Sequence, residues 1–313
     1  MNRFDLQTWL PAIVLGVLVA AISVYDRGFL APSNLITITG DTMTLFLMAS
    51  GLTFVIMLGS IDLSVQAIAS MASCIMAVYI SRYGIVAVPF ALLGGALAGA
   101  FSAIVSTRMR IPTFISTLAV SGVVLSFGYW FSDTRSVNIP AADRDMWLFW
   151  ITGSFAGIPG EIWVGLVALL VLSALLQLSP FGRLVRGVGA QEQAVVASGI
   201  NVDRVKFFAY VLSGFMAALA GVVMGARLGS GSPTLANEFL LPAIAAVVVG
   251  GTAITGGVGS VWRTFIGALI IQVVRIGMTF VGISVFAQQI VFGALLVAAV
   301  AITMDRSKVL VVK

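Results

Sequence analysis

Histidine is missing from this 313-residue chain, and cysteine occurs once, as Cys74 inside an apolar run. Without histidine, imidazole acid–base chemistry and His-based zinc sites are excluded, and one cysteine cannot form an intrachain disulfide. Charge is equally scarce. Asp, Glu, Lys and Arg make up 9% of the residues, where soluble domains carry roughly 25%. What fills the space is apolar: 60% of residues are hydrophobic and the mean hydropathy is +1.11. Such a chain is a polytopic membrane protein. Its net charge of +5 is not gathered into a Lys/Arg cluster interleaved with aromatics, so it points to membrane anchoring and away from nucleic acid.

Signature motifs for nucleotide chemistry are missing too. No G-x-x-x-x-G-K-[ST] loop occurs, and Gly250–Ser260 (GGTAITGGVGS) is glycine-rich but has no lysine to meet a phosphate. No dinucleotide fingerprint opens a helix, so nucleotide energy has to come from another chain. Within the apolar runs, Arg275 alone sits deep, and Asp62 lies at a break between two runs. Ion-driven carriers place Asp, Glu or His inside the bilayer. A secondary carrier or facilitator working alone is therefore the runner-up reading. A membrane-embedded enzyme ranks third, for want of histidine or an intramembrane carboxylate pair.

Apolar runs long enough to cross the hydrocarbon core lie at 9–25, 42–60, 64–81, 84–107, 112–131, 162–180, 207–227, 239–260, 264–281 and 285–303. The expected fold is all-α, with about ten transmembrane helices in a single permease domain covering 1–313. Met1–Tyr25 has the look of a signal peptide but reads as a retained first helix, since further spans follow. With both termini cytoplasmic, Arg3, Arg108, Arg110, Arg183, Arg186, Arg204, Lys206, Arg263, Arg306, Lys308 and Lys313 fall inside. Arg27, Arg82, Arg135, Arg144, Arg227 and Arg275 fall on the outer side, a split of 11 to 6. That asymmetry favours this orientation.

One polar stretch interrupts the pattern. Gly182–Lys206 (GRLVRGVGAQEQAVVASGINVDRVK) carries Arg183, Arg186, Arg204 and Lys206 against Glu192 and Asp203. Within it, Gly187–Ile200 reads as a short cytoplasmic helix. Glu192 near its start suits the helix dipole, and Gly199 stops it. An ordinary solvated loop is the alternative.

Small residues four apart, at Gly95–Gly99, Gly221–Gly225 and Gly225–Gly229, predict close helix packing in lipid. Trp130, Trp147, Trp150 and Trp163 flank the loop 132–161 as an interfacial belt. LGSIDLSV and TGGVGSV each set a glycine-rich break between two apolar runs, a hint of an internal repeat.

Asp62 is placed to cap the helix that follows it, with Ser64 as a second candidate; direct coupling or gating is the other role open to the pair. Arg275 stands about 13 residues, or roughly 20 Å, along its helix from Trp262. It either snorkels to the interface or lines a translocation path, with Gln272 one turn below on the same face. Asp133, Arg135, Asp143, Arg144 and Asp145 give the longest outer loop mixed charge, fit for a docking protein or for plain solvation.

Four stretches together carry a family resemblance: Gly59–Val65 (GSIDLSV), Ile111–Leu118 (IPTFISTL), Gly187–Gly214 (GVGAQEQAVVASGINVDRVKFFAYVLSG) and Ala245–Gly267 (AAVVVGGTAITGGVGSVWRTFIG). With their spacing they cover about residues 30 to 303. The chain resembles a permease subunit of the bacterial ATP-binding-cassette (ABC) sugar importers of the ribose/galactose/autoinducer-2 type. It departs from that family at Gln66, Gln191, Ala194-Val195 and Ile276-Gly277-Met278. The resemblance implies a non-catalytic inner-membrane subunit that pairs with a second permease, two ATPase subunits and a periplasmic solute-binding protein. ATP and Mg would sit on the ATPases, and this chain would hold no metal or cofactor. The segment around Gly189–Ile200 would be the coupling helix. Arg186, Gly187, Gly189, Gln191, Glu192, Gln193, Ala194, Gly199 and Ile200 would meet the ATPase, and Ala194 and Gly199 would let it approach closely.

Overall fold

The computed structural model describes residues 6–25 and 27–303. Arg3, Arg306, Lys308 and Lys313, and with them the placement of both chain ends, lie outside the described residues. In chain order the helices are α1 (Leu6–Tyr25), α2 (Pro32–Met57), α3 (Val65–Tyr83), α4 (Ala87–Arg108), α5 (Thr113–Ser132), α6 (Ala141–Trp147), α7 (Phe149–Thr152), α8 (Gly160–Leu178), α9 (Pro180–Ala197), α10 (Val202–Leu228), α11 (Leu240–Val249), α12 (Val261–Phe280) and α13 (Val285–Thr303). Among the described residues, sheet is confined to two-residue strands. Val137–Asn138 pairs with Ser230–Gly231, and Ser154–Phe155 pairs with Ile158–Pro159. The second pair closes through Ala156 and Gly157, both at positive φ (54° and 78°), as a two-residue hairpin requires.

Among the described residues, ten apolar helices (α1–α5, α8 and α10–α13) match the runs read from the sequence. The correspondence is loosest at the eighth. Only Leu240–Val249 is helical there, about 15 Å of rise against a core of roughly 30 Å. The rest of that pass is the irregular, glycine-rich segment 250–260. Gly250 and Thr252 of this segment are buried, whereas Val258 is 58% exposed.

α2 is the axis of the bundle. Its most apolar stretch is 94% buried, whereas α5 and α8 bury only about a third of theirs. Around it pack α10, α12, α8 and α11, and α10 in turn packs on α4 and α3. In lipid there is no hydrophobic drive between helices, so close backbone approach and dispersion hold the seams. The expected small-residue contacts do this between α4 and α10. A Cβ on Gly99 would strike the Tyr210 carbonyl, and one on Gly214 would strike that of Gly95. Gly221 meets Ala69 of α3 in the same way. Gly229 is different: it ends α10 at φ 66° and caps the helix instead of packing a seam. Trp130 (72% exposed) and Trp163 (41%) face outward as a belt residue should. Trp147 and Trp150 instead pack against the core, Trp147 lying over Gly84.

Gly214→Val should therefore wedge α4 from α10 and lower the yield of folded protein several-fold, while Gly122→Ala, facing open space, leaves it unchanged. Size-exclusion chromatography of detergent extracts, with a thermal ramp, reads both.

Candidate functional site

Gly182–Lys206 folds as two helices around a bent turn. Ser179 opens α9 by accepting the Gly182 N–H at 3.1 Å, with Pro180 in the first turn. The helix is broken at Gln191, whose extended backbone (φ −159°, ψ 89°) separates a first part from a short second part running to Ala197. Gly199, at φ 80°, reverses the chain, and its N–H donates to the Val196 carbonyl at 2.9 Å. Asn201 then caps α10 by accepting the Arg204 N–H at 3.1 Å. The expected short helix exists, but it is only the second part. Gln191, Glu192, Gln193, Ala194, Gly199 and Ile200 are all exposed there, with Val196 (56%) and Ile200 (36%) adding apolar surface. Arg186 and Gly187 are half-buried on the first part. Glu192 is not free: its carboxylate lies 2.7 Å from the Lys206 ammonium, tying the turn to α10.

Beneath this turn three glycine-bearing segments meet. Gly189 of α9 leaves no room for a Cβ, since its α-carbon is pressed on the Met57 carbonyl and the Gly257 nitrogen. The Gly257 N–H donates to that same Met57 carbonyl at 2.8 Å. Gly256 and Gly257, at φ 90° and 80°, and Gly59, at φ 73°, adopt left-handed turns that bring the 57–60 and 252–260 breaks together. The two breaks that look like a repeat in the sequence are thus one junction in space, with α9 resting on it.

From this junction the chain enters the 58–64 connection, which is pinned on two sides. Thr113 and Thr117 of α5 accept the backbone N–H groups of Ile61 and Leu63, at 3.4 and 3.1 Å. On the other side is Asp62, with no exposed surface. Its Oδ1 accepts the Ser64 N–H (3.0 Å) and hydroxyl (2.6 Å), and its Oδ2 accepts the Ser213 hydroxyl of α10 (2.8 Å). Among the described residues no cation pairs with it. Burial pushes the carboxyl upward, against the downward pull of the bonds from Ser64 and Ser213. Capping takes an unexpected form. Ser64 occupies the N-cap position of α3, yet its side chain caps nothing and is spent on Asp62. Asp62 fixes the entry to the helix through the Ser64 N–H.

At the opposite end of the bundle lies a polar cluster that the sequence reading does not contain. Arg227 of α10 stands between two carboxylates, 2.7 Å from Asp41 of α2 and 2.7 Å from Glu161 of α8. The Glu161 contact has the distance of an ion pair but not the angle of a hydrogen bond. Gly40 makes the space, because a Cβ there would run into the Glu161 carboxylate. Gln272, 2% exposed, donates to Asp41 at 3.1 Å. It is bound inside the protein and does not face an open path. The guanidinium of Arg275 lies over the Phe239 ring, 5.1 Å from the centroid. A cavity of about 620 Å³ opens beside the cluster, lined by Arg144, Asp145, Phe149, Glu161 and Arg227 among others. The expectation that the spans hold almost no ionisable groups is corrected here. α2 begins at Pro32, ten residues before the apolar run, which places Asp41 within a helix. The signal was Pro32 itself, a residue favoured in the first turn. No group of three or more His, Cys, Asp or Glu side chains fit to hold a metal occurs among the described residues.

Comparison with known proteins bears on this arrangement. The family profile described as "Branched-chain amino acid transport system / permease component" matches residues 34–300. The ribose import permease RbsC of Haemophilus influenzae is 35% identical over 92% of this chain and 90% of its own length. RbsC of Bacillus subtilis is 36% identical over 95% of this chain and 92% of its own. The L-arabinose permease AraH of Azospirillum brasilense is 30% identical over 92% and 85%. A metal-chelate-type ABC transporter solved in an inward-facing conformation shares the fold alone, with a TM-score of 0.52 and 15% identity over 95% of this chain and 99% of that one.

Arg227→Ala would leave Glu161 and Asp41 unpaired. The loss should be about 1–3 kcal/mol, below the roughly 3–5 kcal/mol of a fully enclosed pair, because Arg227 and Asp41 remain about a third exposed. Adding Glu161→Gln should recover part of it, as read by thermal unfolding in detergent.

Proposed function

The chain belongs to the permease-component family of ABC importers, and on that premise we propose that it is the membrane conduit for a small sugar or sugar-like solute. It works as one membrane domain and as half of a two-subunit pore, with the ATP-burning chemistry on partner ATPases that hold ATP and Mg. A soluble binding protein delivers the solute to the end bearing residues 133–159. The observation that carries the reading is the exposed turn at 191–201, polar with an apolar edge, mounted directly on the glycine junction. A partner that grips this turn gains mechanical access to α2, α10 and the 250–260 segment together.

Orientation follows from charge. Arg108, Arg110, Arg183, Arg186, Arg204, Lys206 and Arg263 cluster at the end that carries α9, which is therefore cytoplasmic in the bacterial inner membrane. Asp41, Asp133, Asp143, Asp145, Glu161 and Glu238 belong to the other end. Both termini then lie in the cytoplasm. In this reading Arg186, Gln191 and Gln193 touch the ATPase, Glu192 braces the turn through Lys206, and Ala194, Gly199 and Ile200 form its close-packed face. Gly187 and Gly189 seat α9. Arg275 presents the edge of its guanidinium to the solute path while Phe239 holds its face, and Gln272 positions α12 against Asp41.

Sugar is favoured over amino acid because the relatives named above are ribose and L-arabinose permeases. The profile's own description supplies the second reading, an apolar amino acid. Proteoliposomes holding the chain, its ATPase and its binding protein should accumulate D-ribose or L-arabinose only with ATP inside or at the ATPase face. Gly189→Val should cut that uptake at least tenfold. Leucine uptake in place of sugar would establish the second reading, and solute accumulation without any ATPase would end both.

A further inference from the structure

Resting on the functional reading above, we infer that Asp62 is the positioning residue of coupling, clamping the 58–64 connection to Ser213 so that movement at the cytoplasmic turn is passed into α10 and α5. The path is short and each step is a contact. Gly189 bears on the Met57 carbonyl, which also holds the Gly257 N–H. Five residues later Asp62 grips Ser213 of α10, while Thr113 and Thr117 hold the flanking N–H groups to α5. Tyr210 of α10 also faces the connection, with Ser60 and Asp62 beside its buried hydroxyl.

The chemistry is unusual for a mere cap. A neutral Ser or Asn satisfies a helix start as well as Asp does, whereas an enclosed carboxylate without a cation carries a heavy desolvation cost. What a carboxyl adds is two oxygens at fixed separation. One serves Ser64, in its own strand of chain, and the other reaches Ser213. A carboxylate used this way is a rigid bracket between a connection and a helix. Ser213 sits at a close backbone contact, its α-carbon against Gly51 of α2.

The experiment uses the whole complex in nanodiscs. Spin labels at Trp130→Cys on α5 and Leu228→Cys on α10, both exposed at the end away from the ATPases, report distance with and without ATP. Cys74 is buried and stays unlabelled. In the otherwise native chain the distance should shift on ATP binding. Ser213→Ala should reduce that shift to less than half while ATP hydrolysis stays within twofold. Asp62→Ala should do the same or more. Asp62→Asn should keep the shift, because its carbonyl oxygen still accepts from Ser64 and its amide can donate to the Ser213 hydroxyl. An undiminished shift in Ser213→Ala overturns the inference. So does a parallel fall of shift, hydrolysis and thermal stability, which marks a structural role only. Loss in Asp62→Asn equal to that in Asp62→Ala also overturns it, since charge and not the bracket would then matter. If the native complex neither binds its ATPase nor shifts, the functional reading itself has failed, and that outcome is separate from all of these.

Discussion

Everything at the end that carries α9 depends on one carbonyl. The oxygen of Met57, at the end of the central helix, accepts the Gly257 N–H and has the bare α-carbon of Gly189 pressed against it. Three distant segments can share that point only because two of them bring glycine. Any side chain at 189 would hold α9 off the bundle and separate the exposed turn from the helices it sits on. The rest of the architecture distributes what happens there: α2 runs from the junction to Asp41, and α12 starts where the 252–260 break ends.

A second network closes the far end, and its logic is electrostatic instead of steric. Arg227 bridges Asp41 and Glu161 on two other helices, and Gln272 adds α12 through Asp41. Such groups are costly within a membrane unless paired. Placing them near the end of the bundle, where Asp41 is about 24 Å along α2 from Met57, lowers that cost while still tying α2, α8, α10 and α12. Between them lies the buried Asp62–Ser213 bond, and the two ends differ in kind: backbone contact at one, ionised side chains at the other.

Much of this was legible in the residues. Long apolar runs announced the helices, and small-residue spacing announced the α4–α10 seam. The polar stretch 182–206 announced the exposed turn, with Gly199 as its stop. Three features were not legible, each for a physical reason. Asp41 looked like a loop residue because hydropathy registers apolar runs and not helices, so α2 seemed to begin after it. The eighth run looked like a full span because Gly and Ala score as apolar even where the backbone is irregular. Gly189 looked like part of a solvated helix because a sequence window cannot show that residues 57 and 257 meet it. Asp62 was seen, but its reach to Ser213, 151 positions away, was not.

The α4–α10 seam has a further consequence. Interlocked leucines resist lateral displacement, since each must leave its hole before finding another. Gly95, Gly99 and Gly214 present nearly bare backbone to one another, with the small Ala218 methyl set against Gly95. Such a surface is tight against separation yet slippery along its length. The same residues that glue the bundle in oil thus also put few side-chain obstacles in the way of a lengthwise shift of α10 on α4.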